Sequence, residues 1–329
     1  MERRSFIGKS VAMGLLPSFP KSFEHSQIIN NTDKITVEKH VSGQPHKGKV
    51  LAAIQPHNDD IALFAGGTVA KLIKEGYTGY LIRTSNDDHA GRGATVGEVI
   101  HNNEKDNERV AKALGLSKVY DLGYRNHRMD NISIQELRGR LIFLFRLLKV
   151  DTIITYDPWG HYEENPDHYI TAMAVESARW MSAGRLDYPE HFETGLKPHA
   201  AAERYYFARG PQLVNRIVET TQSIDKKVHA NAVITTQGPG GEAGARLKKS
   251  LSEKGKRLPI LGDDDKTANA NYIKHFVLDI DSQRMRGVPS DKEIGKPYGL
   301  EWAERFHYIG PEPSKLSTYI EEHAVDKKP

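Results

Sequence analysis

Apolar residues along this chain fall in short blocks separated by polar, glycine-marked breaks. Val50 to Ile54 is apolar without alternation, the pattern of a parallel strand buried on both faces. From Thr68 to Glu75 the period changes. Val69, Leu72 and Ile73 share a helical face, and Gly76 closes the helix. Thr78 to Thr84 predicts the next strand, and Val96 to Leu114 a long, very polar helix stopping at Gly115. Val119 to Leu122 reads as a third strand. Ser133 caps a helix running to about Lys149, with Leu137, Leu141, Leu144 and Leu148 as its core stripe and Ile134 and Phe145 widening it. Asp151 to Tyr156 is a further buried strand, and a helix follows from about Tyr169 to Met181. This β-α-β-α-β-α-β alternation predicts an α/β protein. Its sheet should be Rossmann-like, doubly wound and mostly parallel, with right-handed crossovers and helices on both faces.

Beyond Arg185 the pattern weakens. Arg185 to Ala200 is loop-like, Arg204 to Ala208 reads as a strand, and a helix is expected around Lys226-Lys227. Residues 237–271 are rich in glycine, lysine and aspartate and lack an apolar period, so they read as a polar surface insertion in a C-terminal extension. Only Ala243 to Lys254 reads as helical within it, and Tyr272 to Ile280 is expected to be a late strand.

Open α/β sheets bind ligands beyond the C-terminal ends of their strands, so polar residues there are the candidates for chemistry. The first strand runs into His57-Asn58-Asp59-Asp60. The fourth opens into a loop from Asp157 to His168 that again gathers histidines and carboxylates. Imidazole and carboxylate are both good zinc ligands, and adjacent carboxylates usually diverge, so one can hold a metal while the other faces a substrate. His168 is the natural third ligand of a His-Asp-His set with one open position, as a catalytic zinc needs. The same residues also suit a plain turn and helix cap, and that reading stands beside the metal one. There is no cysteine, so a metal can use only His, Asp or Glu.

Pro56-His57-Asn58-Asp59-Asp60 followed by Ala65-Gly66-Gly67-Thr68 resembles the signature of the PIG-L/LmbE-like zinc deacetylases, His-Pro-Asp-Asp and then Gly-Gly-Thr opening a helix. The resemblance implies His57 and Asp60 as metal ligands and Asp59 as general base. Asn165-Pro166-Asp167-His168 resembles the family's His-Pro-Asp-His, whose last histidine binds zinc, which implies the same for His168. Three positions depart from the pattern. Asn58 replaces a proline, which should alter backbone stiffness rather than chemistry. Asn165 replaces the histidine thought to stabilise the tetrahedral oxyanion, and the nearby His161 is a candidate substitute. Asn126, in Leu122-Gly123-Tyr124-Arg125-Asn126, stands where the family commonly has an aspartate reaching sugar hydroxyls. Gly91-Arg92-Gly93 resembles the family's arginine loop, implying that Arg92 contacts substrate, and Tyr298 to Phe306 resembles its closing element. The likeness runs from about Lys49 to Ile309 and is weak from Arg185 to Asn271.

By this resemblance the chain is a zinc-dependent hydrolase removing an N-acetyl group from an N-acetylglucosamine-type amino sugar or its conjugate. Another divalent ion such as Fe2+ remains open, because His/carboxylate sites are permissive. Two other readings stay in play: a zinc amidase on a different amide, and a non-catalytic carbohydrate-binding protein with a degenerate site. Gly66-Gly67 lacks the spacing of a dinucleotide-binding loop.

Composition narrows the partners. The 329 residues carry a formal charge of +3 with dispersed basic residues, which argues against nucleic acid. No apolar run approaches the ~18 residues of a membrane span. The expected partner is a small-molecule or glycan substrate, with homo-oligomerisation left open. Arg3-Arg4-Ser5-Phe6-Ile7 before Val11 to Leu16 resembles a bacterial twin-arginine export signal, which would take the protein to the periplasm or outside the cell; otherwise it is cytoplasmic. The expected organisation is 1–45 signal and linker, 46–310 deacetylase-like domain, and 311–329 C-terminal tail.

Overall fold

The computed structural model describes residues 35–281, 287–311 and 314–327. The twin-arginine segment lies outside the described residues. Eight strands among them form one sheet: β1 (Thr36–Glu38), β2 (Val50–Gln55), β3 (Thr78–Ser85), β4 (Lys118–Tyr124), β5 (Thr152–Tyr156), β6 (Glu203–Phe207), β7 (Arg216–Glu219) and β8 (Ala303–Ile309). Their spatial order is β1-β7-β8-β6-β5-β2-β3-β4, and only β8 runs antiparallel to its neighbours. This is the mostly parallel, doubly wound α/β sheet that the alternation predicts.

The uninterrupted apolar character of β2 has a direct cause. Leu51 and Ala53 enter one core layer, with Leu81, Ile154 and Phe306. Ala52 and Ile54 enter the opposite layer, with Ile82, Leu141, Phe145 and Val175. A strand covered on both faces has no polar side to show.

The helices that matter here are α1 (Asp60–Phe64), α2 (Gly66–Lys74), α3 (Val96–Leu114), α4 (Ile134–Leu148) and α5 (Pro166–Ser182). After the single turn α6 (Glu190–Glu193) come α7 (Ile224–Ala232), α8 (Ala243–Glu253) and α9 (Asp265–Tyr272). Thr95 and Ser133 cap α3 and α4 by accepting from Glu98 N and Glu136 N. Gly115 ends α3 in the left-handed conformation, φ 81°, which costs glycine nothing.

Three differences from expectation have physical reasons. Ile273–Ile280 is a π-helix continuing from α9, not a strand. Its buried residues Ile273, Val277 and Leu278 recur at helical spacing and pack on the core, and no turn residue separates them from α9. The sheet also begins before residue 46. Thr36–Glu38 pairs with Arg216–Val218, and Glu38 binds Lys71 and Arg216. Finally, the polar insertion is largely helical, and its first residues, half-buried or exposed, line the cavity described below.

The two halves of the fold are tied by buried charge. Lys227 of α7 pairs with Asp291 and, at 2.6 Å, with Glu304 Oε1 of β8; all three side chains are inaccessible. Glu304 in turn accepts from the backbone N–H groups of Gly67 and Thr68 in the first turn of α2, where a carboxylate complements the helix dipole. Removing one member of such a buried cluster leaves its partners uncompensated. Lys227→Met is expected to lose about 3–5 kcal/mol of unfolding free energy in a urea titration. A loss below about 1 kcal/mol would show that the two carboxylates are compensated elsewhere.

Candidate metal centre

β2 leads on to β3 on one side, whereas its other neighbour β5 leads on to β6 on the far side. The crevice beyond β2 and β5 is therefore the switch point of the sheet. His57 and Asp60 leave β2 into it, and His168 enters it from the first turn of α5.

The local sequence sets each side chain. His57 N–H donates to Asp60 Oδ2 at 2.9 Å, closing the turn after β2. Asn165 caps α5 by accepting from Asp167 N at 3.0 Å, and Pro166 follows it in the first turn, where a missing N–H is harmless. The helix thus starts three residues earlier than the apolar period indicates, and Asp167 and His168 are fixed on its first turn.

The result is a buried cluster. His57 Nδ1 lies 3.0 Å from His168 Nε2 and 3.5 Å from Asp60 Oδ2. His168 Nε2 lies 3.6 Å from Asp60 Oδ1. One ligand atom from each of the three residues falls within 4.8 Å of the others. Behind them stands a second set of groups. His57 Nε2 is 3.0 Å from Asp167 Oδ2, and His168 Nδ1 is 3.1 Å from Glu163 Oε1. Tyr156 donates to Asp60 Oδ1 at 2.6 Å, and its ring stacks on His168 with centroids 4.2 Å apart. Asp167 also accepts from His127 N and Met129 N, and Arg209 pairs with Glu163 at 3.2 Å through its Nε.

This donor set fits a divalent cation. Carboxylates stand behind both imidazoles, and with the ring protons held on that side the two inner nitrogens, 3.0 Å apart, would present lone pairs to each other. A cation between them relieves that repulsion, and carboxylate-backed histidine is the usual support of a metal ligand. The surrounding charge favours a cation as well. Burial disfavours a charged His57, yet Asp167 and Asp60 hold its pKa well above the ordinary value, so without a metal the imidazole itself carries the positive charge. Asp60 is also buried, and the neighbouring His168 and His57 pull its pKa down. Asp59 differs: burial and the charge of Asp60 push its carboxyl up to about 7. The two adjacent aspartates have opposite environments, the condition under which they take different roles.

A cavity of about 460 Å³ opens on this cluster. His57, Asp59, Asp60, Asn126, Asn165 and His168 line it. Asn126 is fully buried, and among the described residues neither its Oδ1 nor its Nδ2 has a hydrogen-bond partner. A buried amide without partners is costly unless a ligand satisfies it. Two other expected residues are not brought here. Arg92 is exposed, its carbonyl accepting from Asn102. His161 is exposed, its N–H donating to Pro211 O. Several lining residues escape the sequence reading: His127, Arg209, Gln237, Gly238, Pro239 and Tyr272. Arg209 could have been sought beyond the C-terminal end of β6 and His127 beyond that of β4. The others have no such signal.

A His-Asp-His cluster and a diverging aspartate at the switch point define an α/β protein with a candidate metal-dependent hydrolytic site. Residues 52–179 match the family model described as PIG-L, GlcNAc-PI de-N-acetylase. Diacetylchitobiose deacetylase of Thermococcus kodakarensis is 27% identical over 198 residues, 58% of this chain and 71% of that protein. The structure of N,N'-diacetylchitobiose deacetylase from Pyrococcus horikoshii superposes with a TM-score of 0.61 at 22% identity, covering 79% of this chain and 84% of that one. GalB, a 4-carboxy-2-hydroxymuconate hydratase from Pseudomonas putida KT2440, superposes with a TM-score of 0.54 at 16% identity, over 81% and 98%. The same fold therefore carries a hydratase, and the reaction must be argued from the site.

Asn165 has two duties that can be separated. Asn165→Ala is expected to lower stability by about 1 kcal/mol in thermal melts by removing the cap, and Asn165→Asp to keep it. Equal melting of all three proteins would show that Pro166 alone sets the start of α5.

Proposed function

We propose that this protein is a metal-dependent deacetylase that hydrolyses the N-acetyl group of an N-acetylglucosamine-type amino sugar or its conjugate. The observation that carries the reading is the convergence of His57, Asp60 and His168 beside Asp59 in a cavity whose wall holds the unpartnered amide of Asn126. The PIG-L match and the relatives named as deacetylases support the same class of reaction.

In this reading His57, Asp60 and His168 hold a divalent ion, zinc by preference, and the ion supplies Lewis acidity toward the amide carbonyl and toward water. The rest is done by the chain. Asp59 accepts a proton from the attacking water as the new C–O bond forms, then delivers it to the amide nitrogen as the C–N bond breaks. The products are acetate and a free amine. The Asp59 carboxyl lines the cavity beside the three donors, where a carboxylate can take and return a proton. The Asn165 Oδ1 atom is engaged in the helix cap, so its Nδ2 is the group it can offer to the developing oxyanion. It carries no charge, and Arg209 on the same wall supplies a positive one. Asn126 offers one donor and one acceptor to a sugar hydroxyl. Arg92 and His161, exposed and away from the cavity lining, have no part in this step.

Asn126 and Asn165 also favour a second reading, hydrolysis of an amide on another scaffold, since both alter groups expected to meet sugar and oxyanion. The test is metal content together with amine release from N,N'-diacetylchitobiose and from a panel of other acetylated amines. Wild type is expected to hold about one metal per chain and release amine, and His168→Ala to lose both. Asp59→Asn should keep the metal while kcat falls by about 10²–10⁴. Loss of metal in Asp59→Asn would mean that the roles of Asp59 and Asp60 are exchanged. Metal without any amine release would leave a binding protein.

A further inference from the structure

The cavity has one wall that lies outside the PIG-L match. Gln237, Gly238 and Pro239, with Tyr272, come from the C-terminal part of the chain and close over Asp59. Gly238 sits at φ +71°, and a Cβ there would stand 2.7 Å from Asp59 Oδ2. The wall therefore touches the carboxylate proposed as general base.

What holds this segment is a network of buried polar side chains with no direct part in the chemistry. Asp106, on the buried side of α3, accepts from Thr235 N and Thr236 N through Oδ2 at 2.8 Å each. Thr236 Oγ1 lies 2.6 Å from the same oxygen and 3.1 Å from Asn58 Nδ2, so it donates to the carboxylate and accepts from the amide. Asn58 Nδ2 donates its other proton to Asn103 Oδ1 at 2.8 Å, and Asn103 Oδ1 also accepts from Gln237 Nε2 at 3.1 Å. Asn58, Asn103 and Asp106 are fully buried. Asn58 is the residue that replaces a proline in the motif. A proline there would offer no side-chain donor, so the two bonds that leave the turn after β2, one to Thr236 and one to Asn103 of α3, depend on the asparagine.

We infer that Asn58, Asn103, Asp106 and Thr236 form a positioning hub that fixes Thr235–Pro239 as a cavity wall, and that this wall determines which substrate fits. Asn58 lies between His57 and Asp59, so the hub ties the wall to the turn that carries the chemistry. The departure at residue 58 is then a substitution for specificity, not only a change in backbone stiffness. The activity part of this inference rests on the deacetylase reading; the structural part does not.

The test uses Thr236→Val, which keeps the shape and removes the hydroxyl, and Thr236→Ser, which restores it. Two readouts are taken: amide hydrogen exchange of peptides spanning residues 232–241, and steady-state kinetics on N,N'-diacetylchitobiose. In Thr236→Val, protection is expected to fall within this segment alone. KM should rise about tenfold as the wall loosens, with kcat within about threefold of wild type. Thr236→Ser should match wild type in both readouts, and Asn58→Pro should reproduce the Thr236→Val pattern. Unchanged protection and KM in Thr236→Val would overturn the inference, as would a loss of protection spread over the whole chain. If wild type releases no amine from this disaccharide, the deacetylase reading fails for that substrate. The exchange comparison then decides on the hub alone.

Discussion

The 3.0 Å approach of His57 Nδ1 to His168 Nε2 is the constraint on which the rest of the site depends. Two imidazole nitrogens at this distance either share a proton or face a common cation, and carboxylates behind the rings favour the second by offering to hold the outer protons. Asp167 stands behind His57 and Glu163 behind His168. Each of those carboxylates must in turn be held, Asp167 by the backbone N–H groups of His127 and Met129, Glu163 by Arg209. The support therefore spreads outward into the loop after β4 and the end of β6. Neither segment carries a ligand, yet both orient one.

Sheet topology makes this possible. His57 and His168 are 111 residues apart in sequence, and only the side-by-side pairing of β2 with β5 brings their strand ends together. The apolar layers on both faces of β2 fix that pairing, because a slip of one residue would carry buried side chains to the wrong layer. The geometry of the candidate metal centre and core packing are thus coupled through a single strand. A change in the core that shifts β2 would be felt as a change in the spacing of His57, Asp60 and His168.

Much of this was legible in the sequence, for reasons that can be named. An apolar run ending abruptly in histidine and carboxylate marks a strand end with chemistry on it, and two such ends gave His57, Asp59, Asp60 and His168. Asn126 was reached through resemblance, and its unpartnered amide in the cavity is a physical feature that resemblance did not supply. Arg92 came in through resemblance and His161 through its place in the same loop as Asn165, and neither lines the cavity. The strand expected at Tyr272–Ile280 failed because an apolar run of eight or nine residues does not distinguish strand from helix. The wall at Gln237–Pro239 was hidden for a different reason. Its glycine-rich composition reads as surface, and the groups that hold it inside are side chains of α3 and of Asn58.

The polarity of α3 can be understood in the same terms. A helix of that composition looks solvated, yet Asn103, Asp106 and Asn107 are fully buried. Buried amides and carboxylates are unfavourable unless each finds partners, and here nearly every one does: Gln55 for Asn107, Ala90 and Val99 carbonyls for Asn103, two backbone N–H groups for Asp106. A hydrophobic face of equal area would have packed α3 as well. It could not have held a glycine-rich segment in one place, because apolar contact is non-directional and hydrogen bonds are not. The fold thus uses apolar layers where any good packing will serve, and polar networks where a backbone must stand at a fixed distance from Asp59.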